Sequence, residues 1–223
     1  MTAKVKIADL APGASFSAGI VDLEVLEHFD NGRTLLVTKK AIGDRPFTRL
    51  PFVYNRRPDD DAPNDFAVSD LKEDLNGEFL KDLVAGGVIR EDDIVTTAWD
   101  LDDSEGANKY GVALCKIAIL SQTEVRKYYD AGLLDIEDWE WLRTPHAGSS
   151  YRARRVDTDG SLSPYLAYFG AFGVRPALIV ESGTLVSIGE DQADLCDRVL
   201  LREFSLTQLL DEVRRRLAEG EDA

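Results

Sequence analysis

Polar and apolar residues alternate from Lys4 to Leu10 until Pro12-Gly13 interrupts them, which predicts a strand followed by a turn. Two further apolar runs flank Asp30-Asn31-Gly32. Asn-Gly between such runs is a strong hairpin signal, so Val21–Phe29 and Thr34–Lys39 are expected to pair. Residues 43–64 are rich in Pro, Asp and Arg and read as a surface loop whose tip is Asp59-Asp60-Asp61. Ser69 is a good N-cap, and Leu71, Leu75, Phe79, Leu80 and Leu83 follow at helical spacing until Gly86-Gly87. An acidic loop is expected over Asp92–Lys109, broken by a short strand at Ile94–Trp99. Tyr110–Leu120 is the most apolar run and predicts a central strand. Ser121-Gln-Thr-Glu124 fits a capping box opening a short helix to about Tyr129, and a further helical turn is expected over Asp135–Trp139.

The longest excursion runs from Trp139 to Leu178. Trp139 and Trp141 demand a core, because a packed Trp buries roughly 150–250 Å². Arg143-Thr144-Pro145 then takes the chain out of any helix, since the residue before proline disfavours the helical region. Arg152–Val156 and the segment after it are joined by Asp157-Thr158-Asp159-Gly160 as a hairpin turn. Arg175 and Pro176 precede Ala177–Val180, which reads as a buried terminal strand, and Gly183 and Gly189 mark turns. After a linker, Ser205–Gln208 caps a last helix whose Leu206, Leu209, Leu210, Val213 and Leu217 form one apolar stripe. It covers its own domain or forms an oligomer interface.

Charge changes the picture more than length does. Against 26 Lys+Arg stand 41 Asp+Glu, a formal net charge of −15. Such a field repels phosphate backbones and disfavours nucleic acid as a partner. No stretch reaches the roughly 18 apolar residues of a membrane span, and the first residues lack the apolar core of a signal peptide. Cys115 and Cys196 are too few for a disulfide framework, and Cys115 lies in an apolar run where a buried thiol is expected. Asp100–Gly106 has oxygens suited to calcium, but Glu105 stands where a calcium loop needs Gly, and Gly111 where it needs Glu. His28 and His146 have no partner at metal-ligand spacing, so no metal and no cofactor are expected.

Several motifs stand in a recognisable order: Leu71–Leu80, Ile117–Val125, Trp141–Pro145, Val156–Gly160 and Gly173–Leu178. The chain resembles an uncharacterised domain family common in gut bacteria and their prophages, whose members carry L-R-x-W-L-N-x-x-F, L-L-S-x-x-E-V, W-L-R-S-P, V-x-x-x-G and G-V-R-P-A-L. Thr144 stands where that family usually has Ser. The resemblance covers about residues 4–180 and implies a C-type-lectin-like fold. That fold is shared with phage receptor-binding and variable proteins and with formylglycine-generating enzymes. The calcium and sugar motifs of C-type lectins are absent, and neither cysteine sits in the reactive pair of those enzymes.

The expectation is therefore an α+β protein: a C-type-lectin-like domain over residues 1–187, loop-rich, with mixed or antiparallel sheet and short helices, then a linker and C-terminal amphipathic helix over 188–223. Trp139, Trp141, Arg143, Arg175 and Pro176 read as structural landmarks, since a buried Arg needs a carboxylate or carbonyl partner. Tyr151, Arg152, Arg154, Tyr165, Tyr168 and Phe169 have the Tyr and Arg content of binding loops. The same aromatics could equally fill a core beneath the loop. By the resemblance the chain is a non-enzymatic phage or prophage binding protein, virion-associated or in the host cytoplasm, recognising a cell-surface protein or glycan. The alternative is an assembly subunit contacting other virion subunits or its own copies through the C-terminal helix. A divergent formylglycine-generating-type enzyme ranks last.

Overall fold

The computed structural model describes residues 2–49, 62–170 and 172–189. Over these residues the chain is α+β, with antiparallel strand pairing and short helices. The strands are β1 (Thr2–Lys6), β2 (Ser15–Ser17), β3 (Asp22–Phe29), β4 (Arg33–Thr38), β5 (Thr97–Asp102) and β6 (Asn108–Cys115). They continue as β7 (Ile117–Ile119), β8 (Glu140–Pro145), β9 (Arg152–Val156), β10 (Leu162–Leu166), β11 (Pro176–Glu181) and β12 (Leu185–Gly189). A five-stranded sheet in the order β2-β3-β4-β11-β7 forms the centre, beside a three-stranded sheet β10-β9-β8 and the ribbons β5-β6 and β1-β12.

β4 is buried from Thr34 to Thr38, as befits a central strand covered on both faces. Phe29 pairs with Arg33, so Asp30-Asn31-Gly32 is a three-residue hairpin loop. Gly32 has φ of 77°, a left-handed conformation that costs other residues about 1–2 kcal/mol. His28 is held inside this sheet: Nε2 donates to the Leu10 carbonyl (2.7 Å), and Nδ1 meets the Thr34 hydroxyl (2.8 Å).

The Ser69 hydroxyl accepts from the Lys72 amide (3.1 Å) and starts helix α1 (Asp70–Asp74). The helix passes through a π turn, Leu75–Phe79, into α2 (Leu80–Ala85), burying Leu71, Leu75 and Leu83 against the core. Asn76, in the π turn, accepts from the amides of Lys116 and Ile117 (3.0 Å each) and donates to the Ile117 carbonyl (2.8 Å). This contact explains the first departure from expectation. The run Tyr110–Leu120 is two strands, not one: β6 belongs to the β5-β6 ribbon, and the chain changes sheets at Lys116. β7 lies at the end of the five-stranded sheet rather than at its centre.

Asp135–Trp139 is extended rather than helical. Leu134 and Ile136 are buried while Asp135 and Glu137 are exposed, a period of two, and Arg175 Nη2 takes the Asp135 carbonyl (2.7 Å). The acidic segment Asp92–Lys109 is mostly a hairpin, with its strand at Thr97–Asp102 rather than Ile94–Trp99. Its turn is packed: Asp103 is buried and accepts from the amides of Glu105 and Ala107 (2.9 and 3.1 Å). Gly189 lies in β12, not in a turn, so strand pairing with β1 runs past the boundary placed at residue 187. Cys196, the tip of the 43–64 loop and the stripe Leu206, Leu209, Leu210, Val213 and Leu217 lie outside the described residues.

Helix α3 (Gln122–Asp130) opens on a complete capping box: Ser121 Oγ accepts from the Glu124 amide, and Glu124 from the Ser121 amide. Its far end is tied to β3, where Lys127 Nζ and the buried Tyr128 hydroxyl donate to Glu27 (2.7 and 2.6 Å). Burial pushes the Glu27 carboxyl up, but the bonds from Lys127 and Tyr128 outweigh it and hold it below its ordinary 4.5. A depressed carboxyl stabilises above its unfolded value and loses that contribution as pH falls through the folded one. Glu27→Gln is therefore expected to cost about 1–2 kcal/mol at neutral pH. In denaturant titrations the gap between variant and wild type should close below pH 4.5.

Candidate functional site

β9 is the middle strand of the three-stranded sheet, and its sequence Arg-Ala-Arg-Arg-Val decides what each face carries. Side chains alternate across a strand. Arg152 and Arg154 therefore project to one side, Ala153 and Arg155 to the other. Arg155 pairs with Ser163 and Trp141, and Ala153 with Tyr165, so Tyr165 shares the Arg155 face. The β9–β10 hairpin is held in place by its turn. Gly160 has φ of 76° and lies so close to α3 that a Cβ there would stand 2.6 Å from Tyr129.

The Arg155 face is aromatic. Phe172 sits at its centre, with ring centroids 4.9 Å from Trp141, 5.0 Å from Tyr165, 5.3 Å from Phe169 and 5.5 Å from Trp139. Tyr165 and Phe169 also meet edge to face at 5.0 Å. Trp141 carries the cluster inward to Phe47 (5.8 Å), and its indole donates to the Arg45 carbonyl (2.9 Å). The Arg155 guanidinium stacks over Trp139 at 3.2 Å, with Phe172 and Tyr165 rings at 4.4 and 4.5 Å. Its Nε donates to Ser163 Oγ (3.0 Å), whereas Nη1 is buried and has no hydrogen-bond partner among the described residues. Burial lowers the pKa of this guanidinium from its ordinary value, and Tyr165 and Asp157 act against that shift.

The other two buried arginines differ in kind. Arg143, 1% exposed, donates to the carbonyls of Asp100 (3.0 Å) and Ile119 (2.9 Å), to Asp100 Oδ2 (3.0 Å) and to Glu124. Arg175 forks onto Glu140 and reaches the carbonyls of Lys39 and Asp135 (2.7 Å each). Burial pushes the Glu140 carboxyl up against the pull of Arg175. Both arginines are fully committed inside the fold. Pro176 opens β11 opposite Ile119, at the first strand position, where its missing N–H is tolerated.

The six ligand-binding candidates do not form one site. Tyr165 and Phe169 join the aromatic face, and Phe169 is 40% exposed at its rim. Tyr151, 37% exposed, is fastened beside them through its carbonyl, which accepts from the Ala167 amide (2.9 Å). Tyr168 is half-buried and makes no ring contact among the described residues. Arg152 and Arg154 lie on the opposite side of the sheet. The residue that the composition of the excursion did not single out is Arg155. Period two along β9 separates it from its neighbour Arg154, and that signal was present in the sequence.

Elsewhere, a concavity of about 150 Å³ is lined by Glu24, Lys39, Lys40, Glu137 and Arg175, but its charges answer one another, as in the Lys40–Glu137 pair at 2.8 Å. Cys115 is buried, and burial pushes its thiol up to about 11, far from a reactive thiolate. Asp100 is bound to Arg143, and no group of three or more His, Cys, Asp or Glu among the described residues is placed to hold a metal. No helix among the described residues is long and apolar enough to cross a membrane.

No curated protein and no solved structure matches the chain. Residues 128–182 match a domain of unknown function, DUF6273, and this segment contains β8 to β11 and so the whole aromatic face.

Proposed function

We propose that this chain is a non-enzymatic binding protein of phage or prophage origin with a C-type-lectin-like fold. In this reading it recognises a cell-surface protein or glycan through the rim formed by Tyr151, Tyr165 and Phe169. One observation carries the proposal: large rings are left open at the rim of a cluster that is rigid underneath. Phe169 stacks on Phe172 and Tyr165, and these in turn enclose the Arg155 guanidinium. Rings held this way lose little freedom on binding, which is how aromatic anchors contribute affinity. The fold reading draws support from the frame of the excursion. The Trp141 amide donates to the Gly173 carbonyl (3.0 Å) and the Gly173 amide to the Trp139 carbonyl (2.8 Å), so the Trp-bearing strand and the Gly-Val-Arg-Pro segment close one loop. The raised thiol pKa of Cys115, a buried side chain, speaks against thiolate chemistry of the formylglycine-generating kind at that residue.

Phe169→Ala and Tyr151→Ala should each weaken binding to cells or to an immobilised glycan array at least about tenfold. Stability should change by less than about 1 kcal/mol, because neither side chain is in the core. Full binding by the double variant would refute the proposal.

A further inference from the structure

The reverse face of the β8-β9-β10 sheet carries charge where the other carries rings. Arg152 and Arg154 project there from β9. Lys109 arrives from the start of β6, its Nζ donating to the His146 carbonyl (3.4 Å), and the His146 amide donates to the Arg152 carbonyl (3.0 Å). Burial first, then the Arg154, Arg152 and Lys109 charges, hold the His146 ring below its ordinary pKa. Burial and the Arg126 charge from α3 do the same to Arg154. Glu105 is the acid whose charge reaches this group through His146. In a chain of net charge −15 such crowding is unexpected, since acids outnumber bases 41 to 26. Yet among the described residues none of Lys109, Arg126, Arg152 and Arg154 pairs with a carboxylate. Arg154 Nη2 holds the Leu162 carbonyl (3.3 Å), while its Nε is buried with no hydrogen-bond partner among the described residues.

We propose that this cluster is a binding site for a doubly charged tetrahedral oxyanion, phosphate or a phosphate ester, with Arg126, Arg152 and Arg154 as its principal donors. A planar carboxylate offers one charge and oxygens in one plane. Cations converging from a helix and two strands suit four oxygens and two charges. The ion would also offset the mutual repulsion of these cations.

The test is calorimetric titration of the full chain with inorganic phosphate, against sodium chloride and acetate at the same ionic strength. Glycerol 3-phosphate, titrated in parallel, separates the free ion from an ester, and either order of affinity supports the site. Saturable one-to-one phosphate binding is expected, with a higher thermal midpoint in phosphate. Arg154→Gln and, separately, Arg126→Gln should raise the Kd about tenfold or more. Arg126 is exposed, so its variant is expected to fold even if the Arg154 variant does not. Phe169→Ala should leave phosphate binding unchanged, which keeps this site distinct from the aromatic rim. Equal responses to phosphate and chloride, or an unchanged Kd in a folded Arg126→Gln protein, would overturn the proposal.

Discussion

Arg143→Met is expected to lower the unfolding free energy by about 3–5 kcal/mol, the usual cost of removing one partner from a buried ion pair. The side chain joins four elements at once: β8 carries it, β5 and β7 supply carbonyls, and α3 supplies Glu124. It also lies 5.1 Å from the centroid of the Trp99 ring. Met would keep much of the packing but leave the Ile119 carbonyl without the Arg143 donor and Glu124 with the Ser121 amide in place of an ion pair. Arg143→Lys should not rescue the loss, because one ammonium cannot span the fork that reaches both sides. By contrast Arg90, whose pair with Asp93 is largely exposed on the Arg side, should leave the denaturant midpoint nearly unchanged when changed to Met. Denaturant midpoints of the three variants test the contrast. A loss at position 143 no larger than that at position 90 would mean that the four contacts do not hold the sheets together.

The second large effect belongs to Trp141. Trp141→Ala should cost about 3–5 kcal/mol, the range for deleting a buried aromatic side chain. Trp141 is 1% exposed, and its ring lies between Phe47 on the core side and Phe172 on the site side. Trp141→Phe keeps an apolar ring but loses the bond to the Arg45 carbonyl. It should fold with a smaller loss, and near-ultraviolet circular dichroism should report loosened rings. Because Phe172 leans on Trp141 and supports Phe169, the same variant should weaken binding at the rim. Full binding in that variant would show that the rim does not depend on the core beneath it.

What the sequence made legible follows the range of the forces involved. The Asp30-Asn31-Gly32 hairpin, the Ser69 cap and the Ser121 capping box are local, decided within a few residues, and all three form. The break at Lys116 is not local, because Asn76, 40 residues away, takes the amide there. The extended run at Asp135 depends likewise on Arg175, 40 residues further on. At the candidate site the rings were visible in composition, but which of them share a face depends on the registers of β8, β9 and β10. For Arg155, period two along β9 gave the side of the strand but not the surroundings. An arginine among rings, with no carboxylate paired to it among the described residues, runs against the expectation that buried charges find carboxylates.

The Asn76 contact has a further consequence. β7 ends the five-stranded sheet, and a terminal strand normally offers a row of free N–H and C=O groups on which another chain can build. Here the outward N–H and C=O of Ile117 are both taken by the Asn76 carboxamide, and the Ile119 carbonyl by Arg143. One side-chain amide thus stands in for a peptide unit of a strand that is not there. The π turn that positions Asn76 is a partial end-stop: it leaves this edge fewer open groups on which another chain could pair.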